Sequence, residues 1–263
     1  MEVFWNRLTA AELVARARDD AVVLLPVAST EQHGPHLATG VDDLLCTEAC
    51  RRAAVIVART RPVVVAPTVW MGLAEHHVAY GGTFTVSLTT WHALLRDLCQ
   101  SIVRAGFKRI VLVNGHGGNR SALNALTVEL ARETGAPIAT TNYLAFAEEA
   151  CREVLEDQTS VQHACEGETS MMLAIAPHLV DRARLPDAHG PQLGFSSALA
   201  RPIHVWQPFT ALTPSGVLGD ARRASAEKGE RLLDASAQGL AAALLAGEPW
   251  RERPPSASPA GFW

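Results

Sequence analysis

No stretch of this sequence concentrates positive charge. Its 263 residues carry 23 Lys and Arg scattered against 27 Asp and Glu, a formal net charge of −4. The field that gathers phosphates along a surface is missing, which sets nucleic acid aside as a partner. No apolar run approaches the roughly 20 residues a membrane helix needs. Met1 leads into Glu2 and an amphipathic stretch, not into a basic and then an apolar segment. A soluble, cytoplasmic chain without a membrane partner is expected. Cysteine is sparse: Cys46, Cys50, Cys99, Cys151 and Cys165 are an odd number without the dense spacing of a disulfide scaffold, and reduced thiols are expected. Cys46 and Cys50, four apart in a helical pattern, read as core packing. There is also no Gly-x-Ser-x-Gly elbow to activate a serine.

Apolar residues are plentiful, at 48% of the chain against 19% charged. This is ample material for one core, and one domain over residues 1 to 250 is expected, with a loose tail at 251 to 263. Thr9 followed by Glu12 has the form of a capping box opening a first helix. AVVLLPVA (21 to 28) is a nearly continuous apolar run, as in a strand covered on both faces. A helix from about Leu44 to Arg59 follows, then strands at 61 to 70 and 82 to 87, a helix over 88 to 105, a strand at 109 to 114, a helix over 121 to 133 and a strand at 137 to 144. Residues 183 to 218 read as a long loop and 221 to 245 as the last helix. Strands alternating with helices predict a three-layer α/β/α fold with a mainly parallel central sheet, whose ligands bind beyond the carboxyl ends of the strands.

Two polar loops leave apolar strands at that edge. In the first, Glu31 and His33 are two apart, so an extended loop projects both side chains to one side, and Asp42 follows nine residues later. Carboxylates with imidazoles suit divalent Zn, Mn or Fe at a catalytic rather than a structural site. The second loop is Asn114-Gly115-His116-Gly117-Gly118-Asn119. Its glycines allow close backbone approach to a ligand. They do not make a dinucleotide fingerprint, because the sixth residue from Gly115 is Arg120. A third group, His163-Ala164-Cys165-Glu166-Gly167-Glu168-Thr169, opens an apolar helix. Glu166 and Glu168 cannot share a helix face, so one of the two reaches a metal, and His163 is a candidate proton donor or acceptor.

Taken together, TEQHGPHL with Asp42, EHH (75 to 77) before GGTF, the NGHGGN loop, HACEGET and TPSGVLGDARRASAEKG (213 to 229) resemble the creatininase family, in family order from about residue 20 to 230. The resemblance implies a creatininase-like three-layer fold and a hexamer. It implies Glu31, His33, Asp42, His116 and Glu168 as ligands of two divalent ions, with Asp42 bridging. His163 and Glu168 would be the catalytic residues. His76, Gly117, Gly118 and Cys165 are expected at the substrate, Cys165 replacing the family's usual glycine. The resemblance further implies that metal-activated water cleaves a carbon-nitrogen amide bond of a small molecule or short peptide. Creatininase itself has an acid where this chain has Gly118, and it has tryptophans ahead of the HAG histidine that are lacking between Trp91 and Trp206, so a substrate other than creatinine is expected. The pocket walls are expected from residues 70 to 83 and 183 to 215. A peptidase of the mycofactocin type and a non-catalytic nucleotide-binding or regulatory α/β protein are the alternatives. His36 is given no role.

Overall fold

The computed structural model of the protein describes residues 1–156, 158–192, 205–247 and 249–250. The expected tail at 251–263, and residues 193–204 of the expected long loop, lie outside the described residues.

Four strands, β1 (Val22–Val27), β2 (Val63–Val65), β3 (Arg109–Asn114) and β4 (Ile138–Asn142), form an all-parallel sheet in the order β2-β1-β3-β4. Every residue of β1 is buried because both sheet faces are covered. Val22 and Leu24 face a core shared with α2 (Val41–Val57), α6 (Glu166–Ile175) and α7 (Ala226–Leu245). Val23, Leu25 and Val27 face a second core with α1 (Ala10–Arg18), α3 (Leu88–Arg104) and α4 (Arg120–Thr134). The two-residue strand period thus divides one apolar run between two helical layers. This is the expected three-layer α/β/α arrangement. A short helix, α5 (Glu148–Val154), completes the set. Among the described residues no helix is long and apolar enough to cross a membrane.

The register sets up the site. Val27 pairs with Asn114, and Asn114 with Asn142, so β1, β3 and β4 end at one level and release their loops side by side.

Several boundaries differ from the sequence expectation. Residues 82–87 form no strand; their only ladder contact is an isolated bridge between Gly72 and Thr85. The threonines of that alternating segment pin loops instead, Thr83 Oγ1 accepting from Gln32 N at 3.1 Å and Thr85 Oγ1 from Ala74 N at 3.2 Å. The strand expected over 61 to 70 shrinks to Val63–Val65, between Pro62 and Pro67, which have no N–H to give a ladder. Helix α2 starts at Val41, ahead of the expected Leu44, and this brings Asp42 into its first turn. The capping box of α1 forms as expected. The last helix begins only at Ala226, capped by Ser225, after a separate 3-10 turn at Ala221–Arg223.

Helix α7 lies against α6 through Gly229, where a Cβ would sit 2.0 Å from the Ser170 carbonyl oxygen. That oxygen belongs to a helix and cannot swing aside. Gly229→Ala is expected to lower the unfolding free energy by about 2 kcal/mol or more, read by urea denaturation, since overpacking a tight contact forces backbone shifts.

Candidate metal centre

The first loop leaves β1 and turns back on itself, so that Glu31, His33 and the first turn of α2 meet beneath the Asn114–Asn119 loop. Asn114 fixes that second loop: its Oδ1 accepts from His116 N at 3.1 Å and its Nδ2 donates to His116 O at 2.7 Å. The third segment contributes Glu168 from the first turn of α6. Ala164, in the left-handed region at φ 53°, makes the bend that lets its N–H donate to Glu168 Oε2 at 2.6 Å.

All five predicted ligands meet, and all are buried. His116 Nδ1 lies 3.0 Å from Glu31 Oε2 and 3.0 Å from Asp42 Oδ2. His33 Nε2 lies 3.2 Å from Asp42 Oδ1 and 3.7 Å from Glu168 Oε2. The two oxygens of Asp42 therefore face two different donor sets, Glu31–Asp42–His116 and His33–Asp42–Glu168, each compact enough to surround one ion. Three buried carboxylates this close demand compensating positive charge. Burial opposes ionisation of Asp42, yet His33 and His116 hold its carboxyl well below the usual range. Burial pushes Glu168 up, to about 8, against the pull of His33. For His33 burial acts downward, but Asp42 overcomes it and raises the imidazole to about 9. Both Glu31 carboxylate oxygens, His33 Nε2 and Asp42 Oδ2 are buried without a hydrogen-bond partner. Orphaned oxygens and one imidazole nitrogen, without sulfur, suit a divalent cation, and a third compact donor group, Glu31–His33–His163, adjoins the two that share Asp42.

Glu166, which spacing alone left as an equal candidate, points elsewhere. Fully buried, it accepts from Glu156 N at 3.1 Å and pairs with Lys228 at the start of α7.

Around the donors runs a hydrogen-bonded ring that sequence reasoning largely missed. His163 Nε2 meets Gln32 O at 2.8 Å, which places the proton on Nε2 and leaves Nδ1, 3.6 Å from Glu31 Oε1, with a lone pair. Gln32 Nε2 then donates to His77 Nδ1 at 2.8 Å, so His77 carries its own proton on Nε2, which lies 3.2 Å from Glu31 Oε1. Gln32 Oε1 accepts from Gly34 N at 2.9 Å, closing the arrangement. His36, given no role from sequence, is buried and meets Thr169 Oγ1 at 2.7 Å, joining the first loop to α6. Phe209 packs on both His77 and His163, with ring centroids 4.3 and 5.0 Å apart. These partners are distant in sequence, and no local spacing signals them.

A cavity of about 390 Å³ opens over the centre. His76, Gly117 and Gly118 line it; at Gly118 a Cβ would lie 2.5 Å from both His116 Nε2 and Leu73 O, so the close approach requires glycine. Among the described residues, the N–H groups of Gly117 and Gly118 find no backbone acceptor. Cys165 does not line the cavity, contrary to expectation. It is fully buried at the start of α6, its Sγ accepting from Gln162 N at 3.1 Å, and burial pushes the thiol up to about 12. His76, His77 and Phe209 come from the expected wall segments, but the opposite wall is built by Asn142, Leu144, Glu148, Thr159 and Gln162 with Arg120. All five cysteines are free.

Known proteins match this chain over most of its length. Residues 6–244 match the family model described as creatininase, creatinine amidohydrolase. The creatinine amidohydrolase of Pseudomonas putida is 34% identical, covering 92% of this chain and 96% of that protein. A mycofactocin precursor peptide peptidase of Mycobacterium ulcerans (strain Agy99) is 31% identical over 80% of this chain and 79% of its own length. A manganese form of creatininase superposes with a TM-score of 0.79 at 29% identity over 95% of this chain and all of the other. A zinc-zinc form of a creatininase variant gives 0.80 at 30% over 95% and 99%. With the sheet order, the paired donor sets and these matches in agreement, the chain belongs to the creatininase family.

Proposed function

We propose that this protein hydrolyses a carbon-nitrogen amide bond with two divalent ions, Zn, Mn or Fe, held by Glu31, Asp42 and His116 on one side and by His33, Asp42 and Glu168 on the other. The observation that carries the reading is the double-faced Asp42 among buried, unpartnered donors. When bound, such ions make hydroxide available near neutral pH and polarise a carbonyl. The chain's own groups do the rest. Burial keeps His163 neutral, well below the ordinary imidazole range, so its Nδ1 can take a proton and later return it to the departing nitrogen. The ring through Gln32 and His77 holds that tautomer and orients Glu31. The N–H groups of Gly117 and Gly118 are placed to meet an oxyanion developing in the cavity.

The reading takes residues 1 to 250 as one domain, in the cytoplasm, acting as a homo-oligomer that the resemblance implies is a hexamer. A lactam, a linear amide or a short peptide fits the class. The peptidase reading is favoured by the mycobacterial relative, whereas no observation favours the non-catalytic alternative.

Chelation is expected to abolish hydrolysis over a panel of lactams, formamides, linear amides and dipeptides, and added Zn, Mn or Fe to restore it. Hydrolysis indifferent to chelation contradicts the reading. His163→Gln is expected to lower kcat about 10²-fold or more while bound metal, measured by mass spectrometry, stays unchanged. Loss of metal in that variant would make His163 a ligand rather than a proton carrier.

A further inference from the structure

The two donor sets that share Asp42 differ in what holds them. Glu31 and His116 stand on loops that leave β1 and β3, and the register of those strands already sets the loops side by side. The other set has to bring His33, on the first loop, to Glu168 on α6, a helix that no sheet strand directly precedes. One hydrogen bond spans that gap. His36, three residues after His33, meets Thr169 Oγ1, one residue after Glu168, at 2.7 Å, and both residues are buried.

The surroundings of His36 leave it little freedom. Residues 33–37 form a turn closed by the bridge between His33 and Leu37, so one turn carries both imidazoles. Its interior is full: a Cβ on Gly34 would lie 2.6 Å from Val217 Cγ2 and 3.3 Å from His36 Nδ1. The turn is tied to the segment after α6 as well, Asp181 N donating to His36 O at 2.8 Å. Within it, His33 Nδ1–H donates to Glu31 O at 3.1 Å, which directs Nε2 at Asp42 and Glu168. Burial keeps the His36 ring neutral, pushing it down to about 4, and Nδ1 has no partner among the described residues. The one ring proton therefore sits on Nε2 and is donated to the Thr169 hydroxyl, because buried N–H groups are rarely left without an acceptor.

We propose that His36 is a positioning residue for one of the two ions: through Thr169 it sets the spacing between His33 and Glu168, and with it the affinity of the His33–Asp42–Glu168 position alone. The inference rests on the two-ion reading and divides the centre into a position set by the sheet edge and one assembled across the His36–Thr169 bond.

Equilibrium dialysis of the chelator-stripped protein against graded manganese(II), with bound metal per chain read by mass spectrometry, separates the two positions. The wild-type chain is expected to take up two ions. In His36→Phe and in Thr169→Val one of them is expected to bind about tenfold more weakly, while the other stays within about twofold of wild type. Thr169→Ser, which keeps the hydroxyl, retains both. In Glu168→Gln, where only the Glu31–Asp42–His116 set is whole, adding Thr169→Val leaves the remaining ion unchanged. Thr169→Val exchanges a hydroxyl for a methyl group and carries the test should His36→Phe not fold. Equal weakening of both ions, unchanged binding in Thr169→Val, or a further loss when Thr169→Val is added to Glu168→Gln overturns the proposal and leaves the two-ion centre standing. A wild-type chain that takes up fewer than two ions overturns that reading and the proposal with it.

Discussion

Asp42→Asn is expected to abolish hydrolysis and to lower bound metal to at most one ion per chain. Asp42 is the one side chain that both donor sets share, its Oδ1 directed toward His33 and its Oδ2 toward His116. An amide keeps the volume but removes the charge and turns one oxygen into a donor that faces an imidazole. Since metal-activated water supplies several kcal/mol of barrier lowering, kcat/KM should fall on the order of 10³-fold or more. The fold should persist, because Asp42 makes no hydrogen bond that holds two backbone segments together. Metal analysis beside circular dichroism separates the two effects: an Asp42→Asn protein that keeps two ions and its activity is incompatible with a shared ligand.

The largest effect on stability is expected from Lys228→Met. Its ammonium reaches Glu166, whose side chain is 1% exposed, and also Glu156. Removing one partner of a buried pair strands the other charge, at a cost of about 3 kcal/mol. Adding Glu166→Gln to Lys228→Met should recover most of the loss, as it removes the stranded charge. A loss below about 1 kcal/mol in urea denaturation of the single variant would mean that Glu166 finds water. Burial alone would pull the Lys228 ammonium down, but Glu156 and Glu166 outweigh it and hold its pKa above the ordinary Lys value. The contribution is therefore complete below that ordinary value and is lost as pH rises through the raised one. The same pair fixes the start of α6, so Lys228→Met should also weaken metal binding through Glu168, two residues along.

Sequence showed the sheet's functional edge because two signals coincide there. VVLLPV and RIVLVN are apolar enough to need cover on both faces, and each runs directly into a polar loop. Glu31, His33 and His116 were legible from that coincidence. Asp42 lay near by, but its part as the shared ligand came from the resemblance, as did the choice of Glu168 over Glu166. In the structure the latter follows from Lys228, some 60 residues downstream, which claims Glu166. His76 or His77 was readable as a histidine that orients a ligand, and the fold gives that place to His77; Gln32 and Phe209 were harder still, since each acts through a partner brought in by the fold and nothing in TEQHGPH marks the glutamine as the hub. The segment over 82 to 87 misled for the converse reason, since its alternating threonines have the strand period yet spend their hydroxyls on loops. Cys165 misled because a small residue beside a site reads as pocket wall, while the turn at Ala164 sends it inward.

Anomalous diffraction from crystals of the metal-loaded protein, collected at the absorption edge of the bound metal, tests the central claim most directly. The account predicts two peaks, one among Glu31, Asp42 and His116 and the other among His33, Asp42 and Glu168. Peaks located elsewhere, or none among these five residues in a protein that hydrolyses amides, would contradict it.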